Sequence, residues 1–155
     1  MGRQDEGEKI VASNRRARHD YELLEHFECG IQLTGDEVKS LREGRASLVD
    51  CYGRVRGSEV WLEGLHIPAY EQGDKRTHQP LRPRKLLLHR REIDQIARDV
   101  NEKGLSLVPL RIYFTHGMAK VEVALARGKR KYEKRQSIAK REAQREMERA
   151  AGRRR

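Results

Sequence analysis

SLVPLRIYFTHGMAKVEVALA, Ser106–Ala126, is the stretch on which the fold turns. Its two arms alternate apolar and polar residues: Leu110, Ile112 and Phe114 before the centre, Val121, Val123 and Leu125 after it. Side chains of period two point to opposite faces of a strand, so each arm reads as a strand buried on one side. Between the arms stands His116–Gly117, a two-residue tip. Two-residue hairpin loops need positive φ, which glycine adopts without a Cβ penalty, so a primed turn and an antiparallel hairpin are predicted.

Upstream, Lys85–Lys103 carries Ile93, Ile96, Ala97 and Val100 at i, i+3, i+4, i+7 spacing and stops at Gly104, which predicts an amphipathic helix. Glu71–Arg84 has no apolar period and contains Gly73, Pro80 and Pro83, so it is expected to be an exposed loop, mobile until bound. Leu48–Val55, Val60–Leu62 and Leu65–Ile67 read as three short strands around a Gly57–Ser58 turn. Thr34–Glu37 has N-cap chemistry ahead of Val38 and Leu41, with Gly44 beyond, which predicts a short helix. Tyr21–Leu24 and Phe27–Leu33 suit one long bent strand with Gly30 as a candidate bulge. Before it, residues 1–8 read as disordered and Lys9–His19 as a short basic arm, with regular structure starting near Tyr21.

The expected fold class is therefore mainly β: an antiparallel barrel of about six strands with two or three short helices. The oligonucleotide-binding-fold architecture is its foremost member and an open α+β sandwich the alternative. Residues 9–126 form the barrel domain and 127–155 a separate tail.

Charge draws the same boundary. From Arg127 to Arg155 there are 13 Lys or Arg against 4 Glu, which is +9 of the chain's +10. So uneven a distribution points to a polyanionic partner, nucleic acid above all; a solvated, solubilising tail is the plainer alternative. No Gly or Pro interrupts Lys129–Ala151, and most of its residues favour helix. Against this, Ala139, Ala143, Met147 and Ala150 make only a thin apolar stripe, and Arg141, Arg145 and Arg149 repel at i,i+4 spacing. The tail is expected to be disordered when free and helical when phosphates neutralise that arginine row.

Catalysis finds little support. His19, His26, His66, His78, His89 and His116 form no metal-ligand or triad spacing, and no P-loop or dinucleotide fingerprint occurs. Cys29 and Cys51 lack CxxC spacing and are expected to be buried or half-buried free thiols in a cytoplasmic protein without metal, cofactor or membrane span. Two basic patches add to the tail: Arg15, Arg16 and Arg18 before the first long strand, and Arg82, Arg84, Lys85, Arg90 and Arg91 around the second helix's start. Such scattered cations suit recognition of RNA shape more than of sequence. A structural ribosomal protein with an extension threaded through ribosomal RNA fits the charge split equally well, and an RNA-processing enzyme stands third.

Five runs carry a family resemblance: NRRARHDY (Asn14–Tyr21), FECGIQLTGDEVKSLREGRASL (Phe27–Leu48), RKLLLHRREI (Arg84–Ile93), KGLSLVPLRIYF (Lys103–Phe114) and KVEVALARGKRKYEKR (Lys120–Arg135). The chain resembles the SsrA-binding proteins (small protein B, SmpB), partners of transfer-messenger RNA in bacterial ribosome rescue. The resemblance implies an adaptor and not an enzyme. Its barrel would hold the transfer-RNA-like domain of that RNA, and its tail would enter the vacant mRNA channel of a stalled ribosome. Implied partners are transfer-messenger RNA, the small-subunit rRNA of the decoding centre, and the elongation factor that delivers aminoacyl-tRNA. Implied RNA-binding residues of the body are Arg16, Arg18, His19, Glu28, Leu87, His89 and Lys120. Gly128 would be a hinge, and Lys129, Tyr132, Glu133, Lys134 and Arg135 would meet decoding-centre RNA, with Arg141, Arg145 and Arg149 following along the tail. Glu133 stands where Asp is frequent, and Tyr132 where some members have His, so stacking rather than proton transfer is implied there.

Overall fold

From the N-terminus the elements run β1 (Lys9–Ser13), α1 (Ala17–Asp20), β2 (Tyr21–Ile31), α2 (Gly35–Arg42), β3 (Tyr52–Arg56), β4 (Glu59–Glu63), β5 (Arg84–Leu87), α3 (Arg90–Lys103), β6 (Ser106–Thr115) and β7 (Met118–Gly128). This is a computed structural model, and it describes residues 8–129 and 142–150.

The predicted hairpin is β6–β7, and its tip has positive φ at both His116 (49°) and Gly117 (74°), the primed turn that the right-handed twist of the arms requires. Leu110 departs from the expected alternation. The register shifts between Pro109 and Arg111, so Leu110 packs on a small satellite cluster with Val108 and Ala126, while Ile112 and Phe114 enter the main core.

Antiparallel pairing continues in the order β6-β3-β4-β5-β2-β7, and β7 returns to β6, so six strands close a ring. The seventh strand, β1, lies along the Arg111–Phe114 half of β6. Closure at β3–β6 rests on one residue pair, Gly53 opposite Leu107. A Cβ at Gly53 would lie 2.5 Å from Leu107 Cδ2, so only glycine lets these two strands meet. Phe27, Cys29, Val60, Leu62, Leu86, Ile112, Val121 and Val123 fill the interior, with Leu41 from α2 and Ile96 from α3 packed against them.

Four expectations are corrected. Regular structure begins at Lys9, not near Tyr21, because Ile10–Ala12 find an open edge on β6. Lys85–Leu87, expected to start the helix, is strand together with Arg84, since burial along Arg84–Leu87 alternates with period two, and the helix begins only at Arg90. Leu65–Ile67 contributes only an isolated bridge, Ser47 to His66. The bulge in β2 falls between Leu23 and Glu25; Gly30 is paired on both sides, to Leu87 and Lys120. The segment before β5 has no regular structure, as expected, yet is tied down: the Ile67 N–H donates to the Pro80 carbonyl (3.0 Å), and His78 Nε2 lies 2.7 Å from the Ile67 carbonyl.

The short α2 helix carries the predicted cap in full, with the Thr34 hydroxyl accepting from the Glu37 N–H and the Glu37 carboxylate accepting from the Thr34 N–H. In the tail, 142–150 is helical and exposed throughout, in line with its local propensity. Tyr132, Glu133, Lys134, Arg135 and Arg141 lie outside the described residues. No helix among the described residues is long and apolar enough to cross a membrane.

Candidate nucleic-acid interface

Gly30 stands in the middle of a row that crosses three strands, between Leu87 on β5 and Lys120 on β7. Directly opposed residues share a face of a sheet. Leu87 is 46% exposed and so spends its side chain on solvent, not on the core. A Cβ at Gly30 would sit 3.3 Å from Leu87 Cβ; its absence leaves open backbone between an apolar and a cationic side chain. Two residues along β2 on the same face is Glu28, exposed and opposite Glu122. Just past β5, His89 is the exposed N-cap of α3, its N–H donating to Glu92 Oε1 (3.2 Å). Four of the expected positions thus gather around one glycine: Leu87, His89, Glu28 and Lys120, with Gly30 as the floor.

Glu28 and Glu122 are like charges face to face, and each is held by other groups. Tyr113 Oη donates to Glu28. Glu122 accepts from Arg111 Nε (3.1 Å) and meets His26 Nδ1 (3.2 Å). Arg111 also pairs with Glu8, and its guanidinium lies 4.2 Å from the centroid of the Tyr113 ring.

Arg16, Arg18 and His19 occupy the opposite end of β2. They lie on and beside α1, exposed, with His19 Nδ1 3.0 Å from Asp20 Oδ1. From Tyr21 to Gly30 an extended strand covers up to ~30 Å, so this arm and the Leu87–Lys120 row are two contact zones, not one. The arm instead adjoins the root of the tail. Gly128 pairs with Tyr21, and Lys129 Nζ donates to the Arg18 carbonyl (3.2 Å). Gly128 itself is the last residue of β7, without positive φ, and a Cβ there would meet nothing within 4 Å. Arg145 and Arg149 are exposed on the 142–150 helix.

The second basic patch is not the cluster its sequence suggested. Arg84 is wholly buried: its Nε donates to Glu37, its Nη1 to the Leu65 carbonyl and its Nη2 to the Pro80 carbonyl. Arg82 joins Glu37 as well, and Lys85 pairs with Glu59 at 2.7 Å. Arg90 holds Asp94 at 3.5 Å, which leaves Arg91 exposed beside it. Burial would raise the Glu37 carboxyl, but the Thr34 N–H and the two guanidiniums outweigh it and hold it below its ordinary value. Cys29 and Cys51 are free and buried, and desolvation pushes both thiols up to about 12. Among the described residues no group of three or more His, Cys, Asp or Glu could hold a metal ion.

A family model described as SmpB protein matches residues 11–153. The chain belongs to the SmpB family. It is similar to an SsrA-binding protein of Salinispora arenicola, 59% identical over 150 residues that span 97% of this chain and 94% of the relative. A second SsrA-binding protein, from Thermobifida fusca, is 58% identical over 155 residues, 99% of this chain and 97% of that one. A solved structure described as "tmRNA-SmpB: a journey to the center of the bacterial ribosome" has a TM-score of 0.63 at 52% identity, covering 76% of this chain and 82% of the other. The mainly β, barrel-like SmpB fold is thus shared.

Composition alone hid part of this SmpB face. Tyr113, Arg111, Glu122 and His26 sit on alternating positions of β6, β7 and β2, on the side away from the core. Their signal was present in the alternation of the hairpin, which placed Ile112 and Val121 inward and therefore these residues outward.

Proposed function

We propose that this chain is an RNA-binding adaptor of trans-translation, working in the cytoplasm and making no bond itself. Its barrel binds the transfer-RNA-like domain of transfer-messenger RNA and delivers it to stalled ribosomes together with the elongation factor that carries aminoacyl-tRNA. Its tail then occupies the vacant mRNA channel and decoding centre.

The observation that carries this reading is the Leu87–Gly30–Lys120 row with Glu28 beside it. It offers an apolar surface for a base, a cation for a phosphate and a carboxylate that only accepts hydrogen bonds. Names of nearly full-length relatives support the choice of RNA. At the other end Arg16, Arg18 and His19 supply phosphate contacts, and the tail leaves from their side through Gly128 and Lys129. Gly128 is the hinge in this reading, and Lys129, Tyr132, Glu133, Lys134, Arg135, Arg141, Arg145 and Arg149 meet ribosomal RNA. A helix is about 10–12 Å across with its side chains, so it excludes mRNA from the channel it fills.

The test is a salt titration of transfer-messenger RNA binding by the full chain and by a chain ending at Lys129. That end point keeps β7 whole and removes none of the buried core, which lies between Ala17 and Ala126 among the described residues. Specific binding by the shorter chain with a shallower salt slope is expected; collapse to generic affinity would remove the barrel from recognition. Stoichiometric retention on salt-washed ribosomes would favour a structural ribosomal protein instead.

A further inference from the structure

Two carboxylates confront each other on the outer face of β2 and β7, Glu28 and Glu122, and they are restrained unequally. Glu122 is engaged at both oxygens, Oε1 by His26 and Oε2 by Arg111. Glu28 is engaged at one: Tyr113 donates to Oε2, and no described residue donates to Oε1. The donor is rigid, because Tyr113 is 2% exposed and its ring lies under the Arg111 guanidinium. Burial, reinforced by the Glu28 charge, keeps the phenol protonated, so it donates and does not compete as an anion.

We propose that Tyr113 is a positioning residue for RNA selection, fixing Glu28 so that its free oxygen faces the RNA between Leu87 and Lys120. The inference rests on the adaptor reading above. Without the phenol, Glu28 would swing away from Glu122 and toward Lys120, since opposed like charges repel and a neighbouring cation attracts. Fixing it beforehand spares the ordering cost at binding. A fixed carboxylate oxygen accepts from a base N–H or a ribose hydroxyl and repels phosphate, so its contribution is to choose among RNAs.

The experiment measures binding of the full-length chain to transfer-messenger RNA and to an unrelated tRNA for wild type, Tyr113→Phe, Glu28→Ala and the double variant. Phenylalanine keeps the ring under Arg111 and removes only the donor. Tyr113→Phe is expected to lose roughly tenfold in affinity for transfer-messenger RNA, the scale of one hydrogen bond to a charged group. Binding of the unrelated tRNA and the salt slope should hardly move. In the Glu28→Ala background Tyr113→Phe should add nothing. An equal loss for both RNAs, or the same loss without Glu28, would make Tyr113 merely structural and overturn the inference. Unchanged discrimination by Tyr113→Phe would also overturn it, with the adaptor reading left standing. A wild-type chain that does not prefer transfer-messenger RNA would sink that reading itself.

Discussion

Glu37 is 1% exposed and joins helix α2 to Arg82, just before β5, and to Arg84, the first residue of β5. Removing its charge strands Arg84 in the interior, and breaking a buried pair at one partner costs about 3–5 kcal/mol. Glu37→Gln should lower the stability measured by urea unfolding by that order at neutral pH. The pH dependence has a definite sign. The folded carboxyl titrates below its ordinary 4.5, so its contribution is full above that pH and fades as pH falls through the lower folded value. The gap between wild type and Glu37→Gln should therefore narrow on acidification below about pH 4.5; a constant gap would contradict the pairing. Cys29 and Cys51 should stay unmodified by a thiol reagent at pH 8 until denaturant is added, read as thiolate released against unfolding. That both thiols are free was legible from the absence of CxxC spacing. Arg84 was not legible, because within a run of basic residues nothing in the sequence separates the one whose partner is 47 positions away.

The seam between β3 and β6 depends on one residue pair, and that makes Gly53 an element-scale constraint. Gly53→Ala drives a methyl into Leu107 at 2.5 Å, and overpacking of this kind costs about 1–3 kcal/mol. Combined with Leu107→Ala, the loss in unfolding free energy should be smaller than the sum of the single losses, because the clash partner is gone. Gly128→Ala should leave stability nearly unchanged, since the position is extended and open. A hinge there would instead show as impaired trans-translation with intact RNA binding. Elements with strong periodicity, α2, α3 and the β6–β7 hairpin, were readable from sequence. β1 and β5 were not, since five-residue and four-residue strands are set by the edges they complete rather than by their own pattern.

On the scale of the whole molecule, the proposed adaptor separates recognition and reach along one strand. The Leu87–Lys120 row and the arm with the tail root lie at opposite ends of β2. The charge boundary at Arg127 lies one residue before the end of β7 at Gly128. How the candidate residues are divided between the two ends of β2 followed only from strand register. If both ends grip the same RNA, Arg16→Ala and Lys120→Ala should weaken binding additively, each lowering the salt slope by about 1. The order of the ring has a further consequence for how the chain is made. β7 pairs with β2 on one side and β6 on the other, and it is the last strand of the barrel. During synthesis no partial barrel can close; β2 waits unpaired on that edge until about a hundred later residues have emerged. Folding is therefore late, governed by distant partners and slow for a chain of this size, and the barrel can shut only once its last strand, next to the basic tail, is available.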